Sequence, residues 1–104
     1  MTFVLFDILP IKSGKTVDDA TAYFDKVRPA MERNGLRRVD VPFEVQGILR
    51  GNQEANLVNI FETEDPESAM KKMGADPEYQ SHIEERDAIF DLGNASIILT
   101  TRRL

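Results

Sequence analysis

The chain's single histidine, His82, follows Tyr79 by three residues and precedes Arg86 by four, so on a helix these three side chains share one stripe. An imidazole moves protons near neutral pH, a phenol donates a hydrogen bond, and a guanidinium holds an anionic group. His82 and Tyr79 are therefore candidates for catalysis and Arg86 for substrate binding. The same residues also suit an ordinary helix surface, with the Tyr79 ring packed on a sheet, His82 in water, and Arg86 paired with Glu85 or Asp87.

Two further polar residues interrupt apolar patterns. Asp7 breaks the Phe3, Leu5, Leu9 face of the first apolar segment, and Asn59 stands between Leu57 and Phe61. Either would carry polarity into an otherwise apolar cavity, Asp7 as a catalytic base of raised pKa and Asn59 as a substrate contact. The alternative for Asp7 is a solvated or arginine-paired carboxylate of ordinary pKa at a strand end. Tyr23 could close a pocket mouth and touch substrate, or simply pack. Arg37, Arg38, Arg102 and Arg103 form either an anion patch or solubilising strand ends, and their spacing carries no phosphate code.

Composition removes several kinds of chemistry. With no cysteine and one histidine, zinc centres, thiolate nucleophiles and disulfides are not expected. There is no glycine-rich phosphate loop and no Gly-x-Ser-x-Gly elbow, so no nucleotide cofactor is expected. Asp and Glu outnumber Lys and Arg by 18 to 13, and the basic residues are scattered, which disfavours nucleic acid. Met1 runs directly into Thr2, Phe3 and Val4 without a basic leader, and no apolar run spans a bilayer. The expectation is a soluble, cytoplasmic protein without a membrane partner.

The elements that must position these residues follow from pattern. Residues 1–104 suit one domain. Thr2 to Pro10 predicts a strand, and Thr16 with Asp19 predicts a capping box opening a helix that ends at Gly35, with a kink or break before Pro29. Alternation over Leu36 to Arg50 predicts a long second strand, placed at an edge or bulged by Pro42, and Gly51 to Gln53 a turn into a third strand at Ala55 to Glu62. Asp65-Pro66 and Asp76-Pro77 open two helical stretches, to Gly74 and to Phe90, before a last strand at Ala95 to Thr101. The order is βαββαβ, an α+β ferredoxin-like fold: an antiparallel four-stranded sheet with helices on one face.

Val4, Phe6 and Ile8 oppose Phe3, Leu5 and Leu9, and the third and last strands are also apolar on both faces. Helices on one face leave the other to a second copy, so a homodimer through the open sheet face is expected.

The segment Asp76, Pro77, Glu78, Tyr79, Gln80, followed by Arg86 and the strand Ala95 to Leu99, resembles small, largely uncharacterised proteins of the dimeric α+β barrel superfamily. The resemblance implies two ferredoxin-like sheets paired face to face, and a superfamily that includes cofactor-independent monooxygenases, stress-related small proteins and degradative isomerases. The functional expectation is a pocket between sheet and helices that binds or transforms a small organic molecule without a cofactor. The alternative is a noncatalytic interaction or assembly module.

Overall fold

The computed structural model describes all residues from Met1 to Leu104. Strand β1 (Phe3–Leu9) leads to helix α1 (Val17–Arg33), whose start carries both halves of the capping box: Asp19 N donates to Thr16 Oγ1 at 3.1 Å and Thr16 N to Asp19 Oδ2 at 2.9 Å. Gly35 takes a positive φ of 90° just past the helix, a conformation that glycine adopts without steric cost. The expected break before Pro29 does not occur. Pro29 lies on the exposed face of an uninterrupted α1, four residues after the equally exposed Asp25, whose carbonyl it leaves without a helical donor.

The second strand corrects the expected alternation. Only Arg37–Arg38 (β2) and Phe43–Glu44 (β3) are strand, both paired with β4 (Leu57–Thr63) along the same edge. Arg37 stands opposite Glu62, whereas Phe43 stands opposite Val58, so the pairing shifts by two residues between them. Pro42 lies in that bulge, and Asp40 Oδ1 accepts from Val41 N at 2.7 Å, a local bond that replaces the ladder. A two-residue shift preserves the pleat, so the two short strands keep the same sense of in and out. Beyond Val45 the chain is irregular up to Asn56, and Gly51 turns it with φ of 104°.

Helix α2 (Pro66–Ala75) is capped by Asp65, whose Oδ1 accepts from Ser68 N at 3.0 Å. The expected single helix from Pro77 to Phe90 is instead two, α3 (Pro77–Gln80) and α4 (Ile83–Ile89), separated at Ser81 and His82. A short 3₁₀ turn (Leu92–Asn94) precedes β5 (Ser96–Thr101). The sheet is antiparallel and runs β2-β4-β1-β5, with β3 beside β4.

Leu5, Leu9, Leu57 and Phe61 project from the sheet into a core completed by Ala20, Tyr23, Phe24, Val27 and Met31 of α1, Ala69 and Met73 of α2, and Ile89 with Phe90. The Tyr23, Phe24 and Phe90 rings meet pairwise at 5.2 to 5.6 Å, edge-on or tilted, as aromatic quadrupoles favour. All helices pack against one face. The opposite face presents Phe6, Ile8, Val58, Ile60 and Ile98 with no helix over them, whereas Val4 on the same face is buried. Arg37, Arg38 and Arg102 do not gather into a patch, because each pairs with a separate carboxylate, of Glu64, Asp25 and Glu62 respectively.

Candidate functional site

Between the sheet and the helices lies a cavity of about 470 Å³, within the range of small-molecule sites. Its floor is β1 and β5 (Leu5, Asp7, Leu9, Ile97). Its walls come from Tyr23, Phe24 and Met31 of α1, Met70 and Met73 of α2, Tyr79 and Gln80 of α3, and Ile83 and Arg86 of α4. The last strand explains why it opens there: β5 is a sheet edge, and Ile97 and Leu99, which share the helix-facing side with Leu5 and Asp7, remain about half exposed at 55% and 52%. Met70 and Leu92, also exposed, complete an apolar rim.

Asp7 is the only carboxylate lining this space. Strand parity forces it inward, because its neighbours two residues away, Leu5 and Leu9, are core residues. No arginine or lysine pairs with it, and burial alone pushes its carboxyl from 3.8 up to about 7. A half-buried carboxylate on an apolar cavity floor loses hydration that no hydrogen bond or cation here replaces, so the neutral acid gains relative to the anion. The arginine-paired alternative for Asp7 is thus not realised.

Tyr79 and Arg86 meet despite the helix break: Arg86 Nη1 donates to Tyr79 Oη at 3.3 Å, and Arg86 Nε donates to Asp87 Oδ1 at 3.0 Å. The anchor of this wall is Asp76, which the sequence offered only as a helix cap. Its Oδ1 accepts from the Glu78 and Tyr79 amides at 2.9 and 3.2 Å, while Oδ2 accepts from Arg33 Nη2 and Asn34 Nδ2, both at 2.7 Å. One carboxylate thus fastens the start of α3 to the end of α1. Its pKa is lowered to about 2, chiefly by the Asn34 and Arg33 hydrogen bonds. Gln80 lines the cavity too, but its amide is engaged, donating to the Gly74 carbonyl at 2.7 Å.

His82 does not join this group. It precedes α4, off the cavity lining, with Nδ1 3.7 Å from Glu85 Oε2, and Glu85 is itself held by Lys26 at 2.7 Å. The one-stripe geometry assumed a continuous helix, and the turn at Ser81 and His82 removes it.

Tyr23 is not at the pocket mouth. It is 1% exposed in the core, its ring on the cavity wall and its hydroxyl without a hydrogen-bond partner. Asn59 is fully buried beneath the helices, directly across the ladder from Asp7, and neither its Oδ1 nor its Nδ2 finds a partner. The inward position of Asp7 and Asn59 was legible from strand alternation. The roles of Asp76, Asn34 and Arg33 were not, since they rest on contacts between α1 and α3 that no local spacing encodes. No group of three or more His, Cys, Asp or Glu side chains is arranged to hold a metal ion. No helix is long and apolar enough to cross a membrane.

No protein-family model and no curated protein matches this sequence. Solved structures do share its fold. The RPA0582 protein of Rhodopseudomonas palustris superposes with a TM-score of 0.77 at 18% identity, over 99% of this chain and 82% of that one. A dabb family protein with a ferredoxin-like fold from Mesorhizobium loti matches at a TM-score of 0.66 and 7% identity, over 99% and 98%. SnoaB, a cofactor-independent oxygenase from Streptomyces nogalater, matches at 0.59 and 16%, over 99% and 92%.

Proposed function

We propose that the chain binds a small, predominantly apolar organic molecule in the cavity between sheet and helices, and that Asp7 exchanges a proton with it. The carrying observation is one unpaired carboxylate, with a pKa brought to about 7, on the floor of an apolar cavity of about 470 Å³. A base of that pKa is half-ionised at neutral pH, which favours both proton uptake and return. Proton abstraction is the opening step of isomerisation, and also of an oxygenation in which the substrate anion itself supplies electrons to dioxygen. The cofactor-independent oxygenase SnoaB, built on the same fold, supports chemistry carried by polypeptide and substrate alone. In this reading Tyr79 and Arg86 contact the substrate's polar end, and His82 takes no part.

The working unit is a homodimer closed through the open sheet face, in the cytoplasm. Phe6, Val58, Ile60 and Ile98 form an apolar surface without a helix above it, and burying such a surface against its own copy is the economical solution for a domain of this size. The cysteine-free sequence fits a reducing compartment.

Titration with tetralin, an apolar bicycle, tests the binding site by amide NMR. Shifts should centre on Leu5, Asp7, Met73, Tyr79 and Ile97. Affinity should fall as pH rises through 7, because the anionic Asp7 repels an apolar ligand, and Asp7→Asn should abolish that dependence. Absence of binding, or shifts confined to the open sheet face, would contradict the proposal.

A further inference from the structure

The clasp between α1 and α3 is built on a chemically labile pair of residues. Asn34 closes α1, and its Nδ2 donates to the Ala30 carbonyl and to Asp76 Oδ2, both at 2.7 Å. Gly35 holds a φ of 90°, which a side chain would strain, so the position after Asn34 is kept for glycine. Two separate demands of the fold thus place a glycine directly after an asparagine. Of Asn34, Asn52, Asn56, Asn59 and Asn94, only Asn34 has that neighbour. With no side chain beside it, a glycine nitrogen reaches the preceding carboxamide carbon more readily than any other backbone amide. The closed clasp blocks this approach. Gly35 N donates to the Glu32 carbonyl at 3.1 Å, and the Asn34 ψ of 9° sets that nitrogen beside Asn34's own amide nitrogen and away from its β-carbon. Ring closure therefore requires the Gly35 amide to leave Glu32 and the Asn34 carboxamide to swing away from Asp76.

We propose that Asn34 is a site of spontaneous, one-way modification: the bond to Asp76 protects it while the clasp is closed, and deamidation of Asn34 prevents the clasp from closing again. The reaction consumes only water. In the opened clasp the Gly35 nitrogen bonds to Asn34 Cγ, the Cγ–Nδ2 bond breaks, and ammonia leaves with the proton that Gly35 gave up. Water then opens the ring at either carbonyl, leaving an aspartate or an isoaspartate. Both products put an acceptor-only oxygen where the Nδ2 donor stood. That oxygen would meet the Ala30 carbonyl and the Asp76 carboxylate at positions now 2.7 Å from Nδ2, the second contact between like charges. Arg33, already shared between Asp76 at 2.7 Å and Glu78 at 3.0 Å, would face three carboxylates. The start of α3 is then released, and with it Tyr79 on the cavity wall, so the modification limits the lifetime of that wall and needs no ligand.

The full chain, folded or held unfolded in urea, is aged at pH 8 and conversion of Asn34 is followed by peptide mass. The folded chain should convert at least about tenfold more slowly than the unfolded one, because reaction passes through local opening. Asp76→Ala, which removes the acceptor from Nδ2, should convert faster than folded wild type. Should that variant not fold, Arg33→Met, which takes away the guanidinium that holds Asp76 Oδ2, answers the same question. Equal rates for folded and unfolded wild type, or a folded clasp variant no faster than wild type, would overturn the protection. Hydrogen exchange of the Glu78 and Tyr79 amides reads the release and should be faster in Asn34→Asp than in wild type. If Asn34→Asp does not fold, partly aged wild type holds both forms in one sample, distinguished by mass. Unchanged exchange at those two amides after conversion would overturn the one-way loss of the clasp.

Discussion

Asp7 faces Asn59 directly across the β1–β4 ladder, and the fully buried Asn59 amide hydrogen-bonds neither to Asp7 nor to any other group. Asp7 is thus half-buried on the cavity floor and Asn59 is sealed beneath the helices, at positions where apolar residues would stabilise the fold more. Such a departure from core patterning is expected where a site is being built.

Asp7 makes stability depend on pH in a direction opposite to that of most carboxylates. Its pKa is raised from 3.8 to about 7, so between those values the folded state holds a proton that the unfolded state has released. Stability from this group is complete below about pH 4 and is lost as pH rises through 7, at up to about 1.4 kcal/mol per pH unit. Asp7→Asn should therefore be more stable than wild type at pH 8, with the difference shrinking toward pH 4, as read from urea denaturation midpoints at both pH values. A variant less stable than wild type at pH 8 would show that the carboxylate is paired in the fold.

Asp76 behaves in the opposite sense. Its folded pKa is lowered to about 2 from 3.8, so its contribution is present above pH 4 and disappears as pH falls through 2. Asp76→Ala should destabilise the protein and specifically loosen the start of α3, seen as faster hydrogen exchange of the Glu78 and Tyr79 amides that donate to Asp76 Oδ1. Unchanged exchange at those two amides would remove Asp76 as the anchor of Tyr79.

Asn59→Leu, close in size and without polar atoms, should stabilise the fold by about 1 kcal/mol, because it removes two buried groups that have no partners. The measurement is the free energy of urea unfolding at neutral pH. A loss of stability of similar size would mean that the amide is satisfied by an internal water.

The open sheet face leads to a prediction about assembly. Light scattering at micromolar concentration should give twice the chain mass of 11.8 kDa, and Ile60→Asp, which puts a charge in the middle of that face, should give a monomer. A wild-type monomer would remove the second copy as the cover.

Much of the fold was legible because its determinants are local. Thr16 with Asp19, Asp65 with Pro66, and Gly35 each fix a helix end within a few residues, and the alternation of β1 and β4 settles which side chains point inward. Where the pattern misled, something nonlocal or competing intervened. Alternation over Leu36 to Arg50 survives as two short strands, because Pro42 cannot donate to the ladder and Asp40 captures the Val41 amide. The Tyr79, His82, Arg86 stripe dissolves at the turn between α3 and α4, which leaves Tyr79 and Arg86 on the cavity and His82 beside Glu85. The cavity itself arises from three-dimensional packing, where the helices stop short of the edge strand β5, and no spacing announces such a gap.

The most direct test of the central claim is the titration of the Asp7 carboxyl carbon by NMR in the uniformly labelled protein, with Asp7→Asn to identify the resonance. A midpoint near 7 is predicted from its unpaired burial in the cavity. A midpoint near 4, the value of a solvated aspartate, would contradict both the proton-exchange role and the function built on it.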